Sequence, residues 1–342
     1  VFAGDFRILE PLSAGGMGTV YLAEQLSTGK RRALKLMHAE LEQIPKLRER
    51  FAKEARVGGS IRSQHVVEVV AAGVDERSNT PWIAMELLSG EDLSAFVARQ
   101  GALPFSATVV LLRQVCHALG AAHAAGIVHR DLKPENVFLA RAERADVPFT
   151  IKLLDFGIAK LVSELTRTQV VGTLLFMAPE QLEGRGIVPA TDVWALGLVA
   201  FYLMTGKHYW LLDVGPAEMI AQIRGGAVEP ASSRARRLGA PRAMPLQFDA
   251  WFARALDLDP ARRFANAERA FAAFSRIPED ERIALGKTAL PTPLAATAPA
   301  TTAPMTTAPR RRAVWGLETW QLSMLAVLGV ALALVLLWVL LA

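Results

Sequence analysis

The chain has 342 residues, 52% of them hydrophobic and 21% charged, a balance that suits a globular protein large enough to bury a sizeable core and excludes a disordered or fibrous one. Net charge is +5, and Arg310, Arg311 and Arg312 supply three of those charges, so the excess elsewhere is too small to argue for nucleic acid. The single cysteine, Cys116, excludes an internal disulfide and reads as core packing in a reducing compartment. The opening residues carry no secretory signal pattern, so the N-terminal part is expected in the cytosol.

Phe6 to Leu12 reads as a strand, Ser13-Ala14-Gly15-Gly16-Met17-Gly18-Thr19-Val20 as a turn, and Tyr21 to Glu24 as the returning strand. Glycines there let the backbone lie close over phosphates and present N–H groups to them. In Arg31 to Met37 the strand period of two puts Ala33, Lys35 and Met37 on one face and Leu34 and Leu36 on the other. Lys35 is therefore a cation on a mostly apolar face, and it needs a partner. Glu54 is available, an acid on the helical stripe of Leu47 and Phe51. Taken singly such residues are more often snorkelling surface groups, but two inward anomalies of opposite sign support each other. Trp82 to Leu88 is an apolar strand running into Ser89-Gly90.

From Phe105 to Ala125 the residues Val109, Leu112, Val115, Cys116, Leu119 and Ala122 recur at helical steps, and Gly126 follows where a left-handed residue would end the helix. Next comes His129-Arg130-Asp131-Leu132-Lys133-Pro134-Glu135-Asn136, a loop in which Pro134 forbids a continuous helix. A carboxylate can take a proton from a hydroxyl, Lys133 can neutralise a phosphoryl oxygen, and Asn136 can hold a divalent metal through its amide oxygen. Ile151 to Leu154 reads as a strand ending at Asp155-Phe156-Gly157, where an acid can project into a cleft and chelate a metal. Ser163, Thr166, Thr168 and Thr173 lie between that triplet and Ala178-Pro179-Glu180. Val193 to Met204 is almost wholly apolar, too short for a bilayer and so a buried central helix, with Asp192 as its expected cap.

The octet from His129 to Asn136 resembles the catalytic loop of the eukaryotic-type protein kinases, and Lys133-Pro134-Glu135 is its serine/threonine form. The resemblance runs from about Asp5 to Ile283 with the motifs in the expected order. It implies an α+β fold of two lobes, a small one over about 5–88 and a large one over about 89–283, with ATP and Mg²⁺ or Mn²⁺ between them. It makes Asp131 and Lys133 catalytic and assigns the metal to Asn136 and Asp155. Lys35 would grip the α- and β-phosphates and be held by Glu54. Leu12, Gly15, Gly18, Val20, Ala33, Met85, Glu86 and Leu88 would line the nucleotide; against the kinase pattern G-x-G-x-x-G-x-V, Ser13 stands at the first glycine. Thr166 and Thr168 are expected autophosphorylation sites, because Arg130 can take a loop phosphate bidentately. By the same resemblance Thr173 would contact the catalytic aspartate, Asp192 would brace the catalytic loop and Arg263 would pair with Glu180, all as supports. The acceptor would be a protein, approached through transient pairing of two chains where it is the loop itself. A pseudokinase scaffold and a small-molecule phosphotransferase are the alternatives.

At Leu290 the composition changes. Pro291 to Pro309 is almost entirely Pro, Thr and Ala without charge, so 284–312 reads as an extended, disordered linker. Arg310 to Arg312 then precede Trp315, Trp320 and the uncharged run Leu322 to Ala342. As a helix that run reaches roughly 31 Å, close to the ~30 Å hydrocarbon core, so 313–342 reads as an interfacial segment and one transmembrane helix. Arginines on its N-terminal side predict a domain facing the cytoplasm. The layout resembles bacterial single-span receptor-like kinases, ending either in a tail anchor or in a lead to an outer domain.

Overall fold

Alternating apolar residues in the first quarter of the chain form five strands: β1 (Phe6–Ala14), β2 (Gly18–Gln25), β3 (Lys30–Met37), β4 (Val69–Val74) and β5 (Pro81–Glu86). They make one antiparallel sheet in the order β1-β2-β3-β5-β4. The computed structural model describes residues 1–15, 18–38, 59, 61–141, 149–156, 174–211, 214–226 and 229–278, all within the compact unit Val1–Ala296. The expected linker and membrane span lie outside those residues.

Phe6, Ala23, Leu34 and Ala84 are buried together on one face of the sheet, with Trp82 edge-on to Phe6 at 5.1 Å. Leu34 points into this cluster, so Lys35 faces the other way, as its place in the strand alternation requires. Lys35 is opposite Val20 on β2 and Ile83 on β5, which puts it at the middle of the sheet. The β1–β2 turn is closed by the Gly15 N–H donating to the Gly18 carbonyl at 2.9 Å. Gly18 has a packing reason of its own: a Cβ there would stand 2.1 Å from the Leu36 carbonyl oxygen on β3.

The rest is helical around a small second sheet, β6 (Gly90–Asp92), β7 (Val137–Arg141) and β8 (Phe149–Leu153), in that order. The helices are α1 (Leu93–Gln100), α2 (Phe105–Ala124), α3 (Pro179–Leu182), α4 (Pro189–Thr205), α5 (Pro216–Gly225), α6 (Ala231–Arg237), α7 (Phe248–Ala255) and α8 (Ala267–Phe274). Every residue from Ala190 to Thr205 is buried, and α4 packs on α2, α7 and α8. An all-round apolar helix has no solvent face, so it becomes the axis of its lobe. Trp194 and Phe201 on it, and Phe248, Phe252 and Phe274 around it, are fully buried, each contributing about 1.5–3 kcal/mol of transfer free energy.

Helix α2 ends one residue short of expectation, and Gly126 follows with φ of 74°. By length and apolarity α2 could cross a bilayer, but its inward side, Leu111, Val115, Cys116 and Leu119, packs in the lobe core. Burial pushes the Cys116 thiol far above its ordinary value, which agrees with a packing role. One local expectation is corrected: α4 begins at Pro189 with Val188 as the flanking residue, so Asp192 lies inside its first turn and does not cap it.

The lobes are stitched through residues 65–67. The Leu153 N–H donates to the His65 carbonyl at 2.8 Å and the Val67 N–H to the Leu153 carbonyl at 3.0 Å, while His65 Nδ1 meets the Ile151 carbonyl at 3.0 Å. Burial pushes His65 below its ordinary value, helped by the neighbouring positive charges of His117 and Lys152, and burial does the same to His208, which stacks on Tyr202. A histidine with a lowered native pKa stabilises the fold fully above its unfolded value of about 6.5, and that contribution is lost as pH falls toward the native value. Urea denaturation is therefore expected to give a lower midpoint at pH 5.5 than at pH 7.5. His208→Phe, which keeps the aromatic stack, is expected to flatten that dependence; an unchanged slope would contradict the assignment.

Candidate active site

The loop from Ile127 to Asn136 is held from beneath by one buried carboxylate. Asp192 accepts from the N–H of His129 through Oδ2 and from the N–H of Arg130 through Oδ1, both at 2.8 Å, and its Oδ2 also meets His123 Nε2 at 2.8 Å. Three donors on one buried carboxylate offset its desolvation and fix the loop's path. His129 adds a further tie: its Nδ1 takes the Asp131 N–H at 3.3 Å, so its Nε2 carries the proton and donates to the Leu154 carbonyl at 2.9 Å. The His129 ring packs on Phe156 at 4.5 Å. Pro134 opens a single 3-10 turn that ends at Asn136.

The β7–β8 register pairs Val137 with Leu153, which sets Asn136 and Asp155 at the same end of that hairpin, and the Leu154 N–H donates to the Asn136 carbonyl at 2.9 Å. Asn136 Nδ2 donates to the Asp131 carbonyl at 2.8 Å and to Asp131 Oδ2 at 2.9 Å, turning its amide oxygen away from Asp131. Lys133 Nζ reaches the same Asp131 Oδ2 at 3.1 Å. From the sheet above, Lys35 Nζ meets Asp155 Oδ1 at 2.7 Å, with the lysine side chain only 8% exposed. Residues 120 positions apart thus join a cation and an acid across the cleft. Arg130 and Asp155 both sit in the left-handed region, at φ of 68° and 54°. Such backbone costs roughly 1–3 kcal/mol per residue and persists where surrounding contacts over-determine it.

Several of the residues expected to line a nucleotide are neighbours in the five-stranded sheet. Ala33 pairs with Met85 across β3 and β5, Val20 pairs with Lys35, and Leu12 is half-exposed on β1. The resemblance assigns Glu86 to the nucleotide through its backbone, and its side chain has other partners. Its Oε1 accepts from the Glu68 N–H at 2.8 Å and from Lys152 Nζ at 2.6 Å, so its side chain ties β5 to β8, and its own N–H donates to the Glu68 carbonyl at 3.0 Å. Asp92 caps α1 by accepting from the Ala95 N–H. Glu54, Ser163, Thr166, Thr168 and Thr173 lie outside the described residues.

Away from the cleft, Arg263 grips Glu180 through two hydrogen bonds of 2.7 and 2.9 Å, and donates to the carbonyls of Asp257 and Ala190. Two positioned residues escaped the sequence reading. His123 lies one helical turn from Leu119 on the apolar side of α2, and a histidine there is a polar group in need of a buried partner; that signal could have found it. Gln181, which reaches the Arg130 carbonyl at 2.7 Å, carries no signal beyond its place after Glu180.

Two lobes with a lysine above the cleft and an acid, an amine and an amide below it define a protein kinase. The protein kinase domain family matches residues 6–272, and the chain belongs to it. The curated relatives that the chain matches include serine/threonine kinases of bacteria. Serine/threonine-protein kinase Pkn1 of Myxococcus xanthus is 46% identical over 211 residues, 60% of this chain and 30% of that protein. PknJ of Mycobacterium tuberculosis is 37% identical over 271 residues, 78% of this chain and 44% of that protein. The chain spans between a quarter and just over half of the length of such curated relatives. The crystal structure of the M. tuberculosis PknI kinase domain superposes with a TM-score of 0.62 at 26% identity, over 81% of this chain and 97% of that one. Rad53 in complex with AMP-PNP gives a TM-score of 0.60 at 26% identity, over 78% of this chain and 64% of that one.

Proposed function

We propose that the chain transfers the γ-phosphoryl group of ATP to serine or threonine hydroxyls of proteins, with residues 5–283 performing the chemistry. The observation that carries this is the joining of Asp131, Lys133 and Asn136 on one loop, next to an Asp155 already reached by Lys35. Asp131 orients the acceptor hydroxyl and takes its proton; among the described residues Lys133 and Asn136 share Oδ2, and Oδ1 is the oxygen that meets that hydroxyl in this reading. Lys133 offsets charge on the transferred group, Lys35 positions the phosphates, and the Gly15–Gly18 turn lies over them. Ala33, Met85, Leu88 and the backbone of Glu86 form the purine edge.

The donor set fits Mg²⁺. Asn136 offers its amide oxygen and Asp155 a carboxylate, both hard oxygen ligands, and this ion keeps several waters and substrate oxygens beside one or two protein ligands. When bound, the ion neutralises negative charge on the phosphates.

Regulation belongs to the same reading. Arg130 is exposed beside Asp131, and in this reading its guanidinium takes a phosphate on Thr166 or Thr168 and orders the segment that bears it. Residues 284–312 serve as a juxtamembrane linker, and 322–342 hold the catalytic domain at the cytoplasmic face of a membrane. The test is the full chain with ATP and a protein acceptor, in Mg²⁺ and in excess chelator. Phosphoserine or phosphothreonine is expected in Mg²⁺ alone, together with modified Thr166 or Thr168 by mass spectrometry. Transfer that survives chelation contradicts the metal assignment, and unmodified threonines in active protein remove autophosphorylation.

A further inference from the structure

Arg130 is the residue immediately before Asp131, and both of its backbone groups are held by side chains from other elements. Its N–H donates to Asp192 on α4, and its carbonyl accepts from Gln181 Nε2 on α3 at 2.7 Å. The other end of the same peptide, the Asp131 N–H, donates to His129 Nδ1. Gln181 is anchored in turn, because its Oε1 accepts from the Ala178 N–H at 3.0 Å. The two partners fix the amide's orientation: an N–H can meet only the oxygen, and a carbonyl only the nitrogen. Gln181 also follows Glu180, which Arg263 locks in place.

We infer that Gln181 is a positioning residue for the transfer: it holds the Arg130–Asp131 peptide so that the Asp131 carboxylate is aimed when residues 178–181 are seated. This rests on the proposed phosphotransfer. A left-handed residue such as Arg130 keeps its conformation only while its neighbours hold it, and Gln181 supplies the one side-chain contact to its carbonyl among the described residues. Loss of that contact lets the peptide plane turn and moves Asp131 against the acceptor hydroxyl. It leaves Lys35, Asp155 and the nucleotide edge untouched, so the effect falls on turnover and spares nucleotide binding.

Gln181→Glu separates this role from helix capping. The variant keeps an oxygen for the Ala178 N–H but replaces the donor facing the Arg130 carbonyl with a second acceptor. In the full chain, kcat with a protein acceptor is expected to fall about tenfold to a hundredfold, the cost of a misaligned reacting group, with the ATP KM and urea midpoint within twofold and experimental error of wild type. Gln181→Met, which has similar bulk and neither hydrogen bond, is expected to show the same loss of kcat. Wild-type turnover in Gln181→Glu overturns the inference and leaves Gln181 as a cap of α3. A loss of kcat matched by a lowered midpoint in both variants also overturns it, in favour of a folding role. A wild-type chain that phosphorylates nothing removes the phosphotransfer reading itself and this inference with it.

Discussion

Asparagine in place of Asp131 is expected to lower kcat for protein phosphorylation by about 10²–10⁴-fold, the range for loss of a positioned general base. The substitution preserves shape, and the new amide oxygen still accepts from Asn136 Nδ2, which now donates to Asp131 Oδ2 at 2.9 Å. It removes the negative charge beside Lys133 and the lone pair that takes the acceptor's proton. In the proposed reading nucleotide affinity rests on Lys35, Asp155 and the β3–β5 edge, and it is expected to stay at the wild-type value. Steady-state kinetics alongside calorimetric titration with ATP would read both quantities on one preparation. Undiminished turnover would mean that Asp131 is not the base.

The largest effect on stability is expected from Arg263→Ala. Arg263 and Glu180 are 2% and 3% exposed, and the guanidinium serves both carboxylate oxygens and two backbone carbonyls. Removing one partner of a buried pair leaves the other charge desolvated without compensation, a loss of about 3–5 kcal/mol. Pairing it with Glu180→Met is expected to recover part of that loss, since an apolar replacement of similar size no longer strands a charge. Urea denaturation of the two single variants and the double variant measures this directly; a double variant as unstable as the sum of the singles would contradict the coupling. Because Glu180 precedes Gln181, Arg263→Ala is also expected to lower turnover through the Arg130–Asp131 peptide.

What the sequence made legible was chemistry of local origin. The period of two in β3 pointed Lys35 away from the Leu34 cluster, and the sheet puts it there. Helical spacing located α2, and Gly126 ended it in the left-handed region. The order of residues in the catalytic loop and the place of Asp155 after a strand brought those groups to one cleft. Contacts that join distant elements were not legible in spacing; Asp192 as a brace of the catalytic loop and Arg263 as the partner of Glu180 came from the family resemblance alone. Asp192 looked like a helix cap because an acid before an apolar run usually is one; its actual partners, His129, Arg130 and His123, are 62 to 69 residues away. The Glu86 carboxylate meets Lys152, 66 residues on, a contact that its place in an apolar strand does not announce. Gln181 and the Arg130 carbonyl are 51 residues apart, and nothing in a helix-turn pattern encodes that meeting. Side-chain-to-backbone bonds of this kind depend on how finished elements pack, and hydrophobic periodicity does not record them.

The most direct measurement is the fate of labelled phosphorus when the full chain, Mg²⁺ and ATP labelled at the γ position are incubated with cytoplasmic proteins and metabolites. The account predicts label on serine or threonine side chains of protein, lost when Lys35 is replaced by Met. Label confined to a small molecule, or nucleotide binding with no transfer at all, would contradict it.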